Sequence, residues 1–325
     1  MKFDVLLFLM IFTTQLLYTQ NNAEPIRIDD TVQLVYYYPG GSANISRLAI
    51  LEEESTLRLY RNLPILDGAT ALFPVYASFV NAVYPRGYYY PYNSDSILRC
   101  STTATAYDNL LEGIVDIIFC TEPSEYHLNK ANELGVEFNL TPIGKDAFVF
   151  FVNRNNPVDN LSSLQIKEIY SGRTTNWYSI NGIDANIIAY QRPENSGSQT
   201  ALQIIMEETP ISEPIRETIA GGMGDMVNRV SSYRNYENAI GYSFLFFTTE
   251  MVRDQEIKLL AIDNIAPKKE NILNGTYPFS GYFYAITLGN ENENVKLLIE
   301  WILSEQGQYL IERTGYIPII DYIVN

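Results

Sequence analysis

Apolar and polar residues alternate along this chain with two periods, one typical of strands and one typical of helices. Continuous apolar runs predict buried strands, and the clearest are VDIIFC (115–120), DAFVFFVN (146–153) and NAIGYSFLFF (238–247). The segment ATALFPVYASFVNAVYP (69–85) instead repeats apolar residues at helical spacing, which predicts an amphipathic helix. Strands and helices that follow each other in this way predict an α/β fold with a largely parallel sheet.

Two further segments complete the predicted fold. The short run SILRC (96–100) is expected to form a strand, because it is apolar and bounded by polar residues. The segment NENVKLLIEWILSEQGQYLIERTGY (292–316) carries the acidic residue Glu293 at its start and repeats apolar residues at helical spacing. It therefore predicts a single C-terminal helix.

Three of the predicted helices begin with small and hydroxyl-bearing residues directly after a strand. These starts are Gly68-Ala69-Thr70, Ser101-Thr102-Thr103 and Ser196-Gly197-Ser198, and Arg192 precedes the third in YQRPENSGSQTAL. A helix N-terminus offers unpaired N–H groups and partial positive charge to an anion, although each start alone is also an ordinary helix cap. Because ligands of open α/β sheets bind at the carboxyl ends of the strands, the three starts together predict one anion site.

Composition narrows the functional classes. The chain of 325 residues carries a formal net charge of −16, which disfavours nucleic acid or an anionic membrane as a partner. A cluster of backbone dipoles can still hold a small anion in an acidic protein. The single histidine, His127, lies in the polar stretch SEYHLNK and is expected at the surface. No metal-ligand spacing, P-loop or nucleophile–histidine pair occurs in the sequence, so neither an enzyme nor a metal or cofactor site is expected.

The N-terminus predicts export. Residues 1–20 combine Lys2 with an apolar run that is short for a membrane span, which is typical of a secretory signal peptide. Residues 21–61 would form an N-terminal extension of the mature protein. We therefore expect a periplasmic, extracellular or cell-surface location, without a lipid anchor, because no cysteine follows the apolar run.

The two cysteines, Cys100 and Cys120, admit two interpretations. Export favours a disulfide. Each cysteine, however, ends a predicted strand, and in a doubly wound sheet such strands often flank a third one. That separation exceeds the Cα–Cα distance of about 5.5 Å that a disulfide needs, so two buried thiols are the favoured interpretation.

Several segments together resemble a known family. They are LDGATALFPVYASF, STTATAYDNLLEGIVDIIFCTEPSE, DAFVFFVNRNNPVDNLSSLQIKEIYSGRTTNW, YQRPENSGSQTAL and NAIGYSF, in this order over residues 62–318. They resemble the phosphate-binding proteins of bacterial ABC transporters, which are type II periplasmic binding proteins. The resemblance implies an α/β fold of two lobes with doubly wound sheets, joined by two crossing strands near 146–153 and 240–247. It places lobe 1 at 62–147 plus 246–325 and lobe 2 at 148–245, with the ligand in the cleft between them.

The same resemblance implies which residues bind phosphate. Arg192 would form paired, charge-assisted hydrogen bonds, and the three helix starts would supply hydroxyl and backbone N–H donors. The implied ligand residues are Thr70, Ala71, Ser101, Thr103, Thr121, Arg192, Ser196, Gly197 and Ser198. Many family members carry an aspartate after the strand that reads VDIIFC here, and it accepts the proton of phosphate and so rejects sulfate. This chain has Thr121 there, with Glu122 beside it, which leaves the choice between phosphate and sulfate open.

The function implied is the capture of inorganic phosphate by an exported monomer, which needs no cofactor and delivers the anion to an ABC permease. The alternative is a secreted or surface protein that uses the same fold as an oxyanion sensor or interaction module. The N-terminal extension (21–61) leaves room for that alternative.

Overall fold

The structure is a computed structural model and describes residues 26–28, 33–36, 44–214, 218–231, 237–289 and 293–319. The predicted signal peptide (1–20) lies outside the described residues, and so do residues 21–25, 29–32 and 37–43 of the predicted extension (21–61).

Strands and helices follow one another through the described residues. The strands are β1 (Ile26–Ile28), β2 (Gln33–Tyr36), β3 (Asn44–Arg47), β4 (Leu66–Gly68), β5 (Gly87–Tyr89), β6 (Ile117–Cys120), β7 (Asn139–Asn153), β8 (Asn160–Leu161), β9 (Ile188–Ala189), β10 (Ala239–Phe244), β11 (Ile257–Leu259), β12 (Ala261–Ile262), β13 (Ser280–Thr287) and β14 (Ile317–Pro318). The α-helices are α1 (Phe73–Val83), α2 (Thr103–Leu111), α3 (Glu125–Leu134), α4 (Ser163–Tyr170), α5 (Gly197–Met206), α6 (Met223–Ser231), α7 (Lys269–Leu273), α8 (Glu293–Ile302) and α9 (Glu305–Thr314). Two 3₁₀ turns, Thr70–Leu72 and Trp177–Ile180, and a π-helical turn, Phe247–Val252, complete the set.

The central sheet confirms the predicted α/β class but is mixed rather than largely parallel. Its strands lie in the order β4-β6-β13-β7-β10-β9, and β11 and β14 also pair with β7. The pairs β4–β6 and β10–β9 are parallel, whereas β7 is antiparallel to β13, β10, β11 and β14. Apolar runs indicate that a strand is buried on both faces, but they carry no information on the direction of its neighbours.

The long strand β7 connects the two halves of the sheet. Residues 139–147 of β7 pair with β13, and residues 148–152 pair with β10. The predicted run 146–153 lies within β7 and is fully buried from Ala147 onward. The second predicted run, 238–247, is a strand only as far as Phe244, because the chain then turns into the π-helical segment.

Two large apolar clusters occupy the two ends of this sheet. One is built around α1, α8 and α9 and includes Phe79, Ile143 and Trp301. The other surrounds the second half of β7 and includes Phe150 and Tyr242. The change from one cluster to the other occurs within β7, between Ile143 and Ala147.

The prediction of a single, continuous C-terminal helix is wrong. The chain forms two helices, α8 and α9, and Ser304 between them has extended backbone angles. A Cβ atom on Gly307 would lie 2.3 Å from the carbonyl oxygen of Ile302, so the first turn of α9 packs directly on the end of α8. Helical periodicity continues across this corner and does not reveal it.

The predicted strand SILRC is reduced to one bridge, between Leu98 and Leu66 of β4. The hydroxyl of Ser96 donates to the carbonyl of Leu98 at 2.7 Å, and Nε of Arg99 donates to the carbonyl of Ser96 at 2.8 Å. These side chains satisfy backbone groups that a strand ladder would otherwise use.

The prediction of two buried thiols is confirmed. Cys100 and Cys120 are free and buried. Leu66 of β4 pairs both with Leu98 and with Ile117 of β6. One strand therefore separates the segments that carry the two cysteines, as the sequence argument required.

Candidate functional site

Two of the three predicted helix starts touch each other. Thr103 is the first residue of α2, and Gly197 is the first residue of α5. A Cβ atom added to Gly197 would lie only 2.8 Å from Thr103 Oγ1. Tertiary folding therefore brings the N-termini of α2 and α5 together, although they are far apart in sequence.

A buried carboxylate that the sequence reading missed fixes the first two starts. Asp67, the middle residue of β4, is fully buried. It accepts hydrogen bonds from the backbone N–H groups of Gly68 at 2.8 Å and Ser101 at 2.9 Å, from the Ser101 hydroxyl at 2.5 Å and from Asn109 Nδ2 at 2.8 Å. Ser101 thus gives its hydroxyl hydrogen to Asp67 and holds the two starts in place rather than facing a ligand as a donor. The sequence signal that could have indicated this role is the position of Asp67, between the apolar run LPIL and Gly68.

The backbone before Thr103 is strained. Thr102 has φ of 81° and ψ of 163°, a region that is essentially confined to glycine. Its carbonyl accepts from Ala106 N–H at 2.9 Å as the first hydrogen bond of α2, and its side chain makes no capping bond. Backbone strain of this kind persists only where the surrounding structure enforces it, and it clusters at functional sites. The strained backbone of Thr102 therefore identifies the start of α2 as a candidate functional position.

The start of α5 combines an ordinary cap with a buried hydroxyl. Ser196 accepts from Gln199 N–H at 3.4 Å and caps the helix, after Asn195 in the left-handed region at φ 64°. Ser198 is 2% exposed, and its Oγ has no hydrogen-bond partner among the described residues. A buried hydroxyl without a partner costs about 1–3 kcal/mol, so this position favours a bound polar ligand.

Arg192 is attached to the same helix start through its backbone. Its N–H donates to Gln199 Oε1 at 3.0 Å and to the Tyr242 hydroxyl at 2.9 Å, and Tyr242 in turn donates to Gln199. Burial raises the pKa of Tyr242, so the phenol stays protonated and keeps this donor. The Nη1 atom of Arg192 lies near Gly222, since a Cβ there would be 3.7 Å away.

His127 is buried, and the prediction of a surface histidine is wrong. It is 1% exposed and stacks on Tyr107 with ring centroids 4.9 Å apart. Its Nδ1 lies 2.7 Å from Ser124 Oγ, which donates to Asn195 Oδ1 at 3.0 Å. Burial lowers the pKa of His127, so the ring is neutral. The polar stretch SEYHLNK is the exposed side of α3, and only tertiary packing shows that its histidine faces α2.

The segment after β6 carries Thr121 and Glu122. The carbonyl of Thr121 accepts from the Tyr107 hydroxyl at 2.6 Å, and Glu122 Oε1 accepts from the Tyr284 hydroxyl at 2.9 Å. Both residues border a cavity of about 230 Å³, which Ala71 and Thr103 also border. Thr121 therefore lies beside two of the predicted helix starts.

This cavity has aromatic walls and two carboxyl groups. Its rings are Phe148, Phe244, Phe279, Tyr282, Phe283 and Tyr316, and its carboxyl groups are Glu122 and Asp146. Asp146 Oδ1 accepts from the N–H groups of Ala147 at 2.8 Å and Phe246 at 3.4 Å. Burial raises the pKa of Asp146 to about 7. The sequence did not predict a cavity position for Asp146, because a single polar residue at the start of an apolar run is typical of the end of a buried strand.

The predicted site residues thus fall into connected groups. Ala71, Thr103 and Thr121 share the cavity, and Thr103 contacts Gly197. Ser196, Gly197 and Ser198 form one helix turn that Gln199 links to Arg192. Thr70 begins the 3₁₀ turn that also contains Ala71, and Ser101 lies behind this group on Asp67.

Two kinds of feature are absent from the described residues. No group of three or more His, Cys, Asp or Glu side chains in that part of the chain could hold a metal ion. No helix in the described ranges is both long enough and apolar enough to cross a membrane.

Comparison with known proteins gives a consistent family. The model of a PBP superfamily domain matches residues 66–306. The phosphate-binding protein PstS of Bacillus subtilis is 27% identical over 172 residues, which cover 52% of this chain and 54% of that protein. The match thus spans about half the length of that relative.

Solved structures agree in fold. A protein of Clostridium perfringens, assigned as a phosphate ABC transporter substrate-binding protein and solved with bound phosphate, is 25% identical with a TM-score of 0.62 over 78% of this chain and 98% of its own. An ABC-type phosphate transport receptor from Vibrio cholerae is 20% identical with a TM-score of 0.58 over 78% of this chain and 98% of its own, and shows the fold alone. The resemblance inferred from the sequence is confirmed, and the names of these relatives describe binding and transport.

Proposed function

The chain belongs to the PBP superfamily, and we propose that it is an exported solute-binding protein that captures inorganic phosphate for an ABC importer. One observation carries this proposal. The N-termini of α2 and α5 meet at Thr103 and Gly197, so two sets of N–H and hydroxyl donors point at the same place. Helix N-termini in this arrangement stabilise a bound oxyanion.

A second observation supports a ligand at this position. Ser198 Oγ is buried next to Gly197 and has no partner among the described residues. A phosphate oxygen would satisfy it. We propose Thr70, Thr103, Ser196 and Ser198 as hydroxyl donors, Ala71 and Gly197 as N–H donors, and Arg192 as the charged partner.

The lobes follow from this assignment. We propose lobe 1 at 62–147 plus 246–325 and lobe 2 at 148–245. The exchange of the two apolar clusters within β7 supports the boundary near 147, whereas Leu260, Ile262 and Ile272 pack in the second cluster, with lobe 2. Thr103 would then belong to lobe 1 and Gly197 to lobe 2, so their contact closes the cleft. Strands β7 and β10 would act as the hinge.

Thr121 and Glu122 are the proposed basis of selectivity. Glu122 lies beside the site and accepts from Tyr284, and its carboxylate has capacity for a further donor. A protonated phosphate oxygen can donate to it or to the Thr121 hydroxyl, whereas sulfate has no proton to give at pH 7. We therefore propose that the site prefers phosphate to sulfate.

Export, a permease partner and a monomeric state belong to the same proposal. The predicted signal peptide (1–20) supports export. The Clostridium and Vibrio proteins are named for ABC phosphate transport, which supports the permease as partner.

Calorimetry on the purified chain tests the function. Phosphate should bind and sulfate should compete poorly at pH 7. Thr103→Val should weaken phosphate binding by about 10- to 100-fold, since a hydrogen bond to a charged group contributes about 1.5–3 kcal/mol. The control is Thr175→Val, at an exposed threonine. Absence of phosphate binding, or equal losses in the two variants, would refute the proposal.

A further inference from the structure

The aromatic cavity continues from the proposed phosphate site. Ala71, Thr103 and Thr121 border both, and Ala201, Ile204 and Ile205 of α5 close the opposite side of the cavity. A phosphate held at the helix starts would therefore have open space beside it. The volume of about 230 Å³ far exceeds the roughly 10–15 Å³ that a cavity needs to hold one water, and it leaves room for an organic substituent.

The walls of the cavity favour a cation. Phe148, Phe244 and Phe279 are among its six rings, and aromatic faces attract ammonium groups, quaternary ammonium above all. None of the described residues that line the cavity is lysine or arginine. One ring, that of Tyr282, already has Lys145 Nζ over it at 5.3 Å from the centroid.

Asp146 supplies the matching negative charge. Both of its hydrogen bonds, from Ala147 and Phe246, go to Oδ1, so the described residues give Oδ2 no donor. Burial raises the pKa of this carboxyl group to about 7, so it is only partly ionised near pH 7, and a bound ammonium group would favour its charged form. The charged groups on its other side are Lys145, Glu250 and Lys269, which line a neighbouring cavity.

From this juxtaposition we infer that the site accepts zwitterionic phosphate monoesters, with the phosphate at the helix starts and an ammonium group in the aromatic cavity against Asp146. The inference rests on the proposed function, because it uses the same phosphate position. It adds a substrate class, the phosphate ester of an amino or trimethylammonium alcohol.

Calorimetry with three ligands tests the inference on the full chain. The probes are inorganic phosphate, phosphocholine and 3,3-dimethylbutyl phosphate, which has the shape of phosphocholine without its positive charge. We expect phosphocholine to bind at least about tenfold more tightly than the uncharged analogue, because only the former pairs with Asp146 and the rings. This comparison needs no variant and so does not depend on a mutant folding.

A variant assigns the effect to Asp146. Asp146→Asn should lower phosphocholine affinity about tenfold and leave inorganic phosphate binding unchanged. The matched control is Asp95→Asn, at an exposed aspartate away from the cavity. Glycerophosphocholine, a diester like a lipid headgroup, should not bind, since its second substituent replaces an oxygen that the helix starts would hold.

The outcomes separate this inference from the proposed function. Phosphate binding without phosphocholine binding overturns the inference and leaves the proposed function standing. Phosphocholine binding without phosphate binding supports the inference and overturns inorganic phosphate as the ligand. Equal affinity for phosphocholine and its uncharged analogue, equal effects of the two Asp→Asn variants, or tight binding of the diester would each overturn the inference.

Discussion

The contact between Gly197 and Thr103 gives the sharpest test of how the site closes. A methyl group at position 197 would place Cβ 2.8 Å from Thr103 Oγ1 and 3.4 Å from both Thr103 Cβ and Thr103 Cγ2. The first distance is well inside van der Waals contact. Gly197→Ala should therefore push the start of α5 away from the start of α2.

The magnitude follows from the packing. Inserting a methyl group into a close-packed contact costs about 1–3 kcal/mol. If the contact forms only when the cleft is closed on a ligand, this cost falls on binding, and phosphate affinity should drop about 5- to 150-fold at about 1.4 kcal/mol per factor of ten. Under this condition the ligand-free protein should keep its melting temperature, because the cost arises only when the cleft closes.

The assay is calorimetry with phosphate, together with thermal unfolding without ligand. Gly221→Ala is a matched control, because a Cβ there would meet nothing within 4 Å. A double-mutant cycle with Thr103→Ala identifies the mechanism. Removing the Thr103 side chain loses a donor but relieves the clash, so Gly197→Ala should cost little in the Thr103→Ala background.

Two results would refute this reasoning. Unchanged phosphate affinity in Gly197→Ala would mean that the two helix starts do not come this close in the bound state. Strictly additive losses in the cycle would mean that Gly197 acts through something other than Thr103.

Three further predictions concern charged groups. Arg192→Ala should weaken phosphate binding about 30-fold or more, because a truncated charged contact to a buried anion costs about 2–5 kcal/mol. Arg154→Ala, at an exposed arginine, should leave phosphate binding unchanged. Equal calorimetric results for the two variants would remove Arg192 from the site. Asp146→Asn should be increasingly more stable than the parent as pH rises from 4 to 7. The folded pKa of Asp146 is about 7 against 3.8 unfolded, so only the parent loses stability over this range, by up to about 4 kcal/mol at 1.36 kcal/mol per pKa unit. Parallel curves of melting temperature against pH for the two proteins would contradict this. Glu122→Gln should bring sulfate affinity closer to phosphate affinity, and an unchanged ratio in competition calorimetry would leave Thr121 as the acceptor.

The sequence alone was sufficient for features that depend on neighbouring residues. A continuous apolar run predicts the buried second half of β7, and apolar residues at helical spacing predict α1, because burial depends directly on which residues along the segment are apolar. The cap at Ser196 and the start of α5 at Gly197 follow from local hydrogen-bonding capacity. The free thiols of Cys100 and Cys120 were predicted because both residues were expected at the ends of strands that flank a third one, which keeps them too far apart for a disulfide.

Only the tertiary structure decided which of these local features meet. The carboxylate of Asp67 binds the Ser101 hydroxyl and Asn109, and His127 is buried against Tyr107. Neither contact can be predicted from the spacing of nearby residues, because each joins segments whose approach depends on how whole helices pack on the sheet. The contact between Thr103 and Gly197 and the position of Asp146 beside aromatic rings have the same origin. The sequence thus determined which groups could bind an anion, and packing determined which of them lie within reach of one ligand.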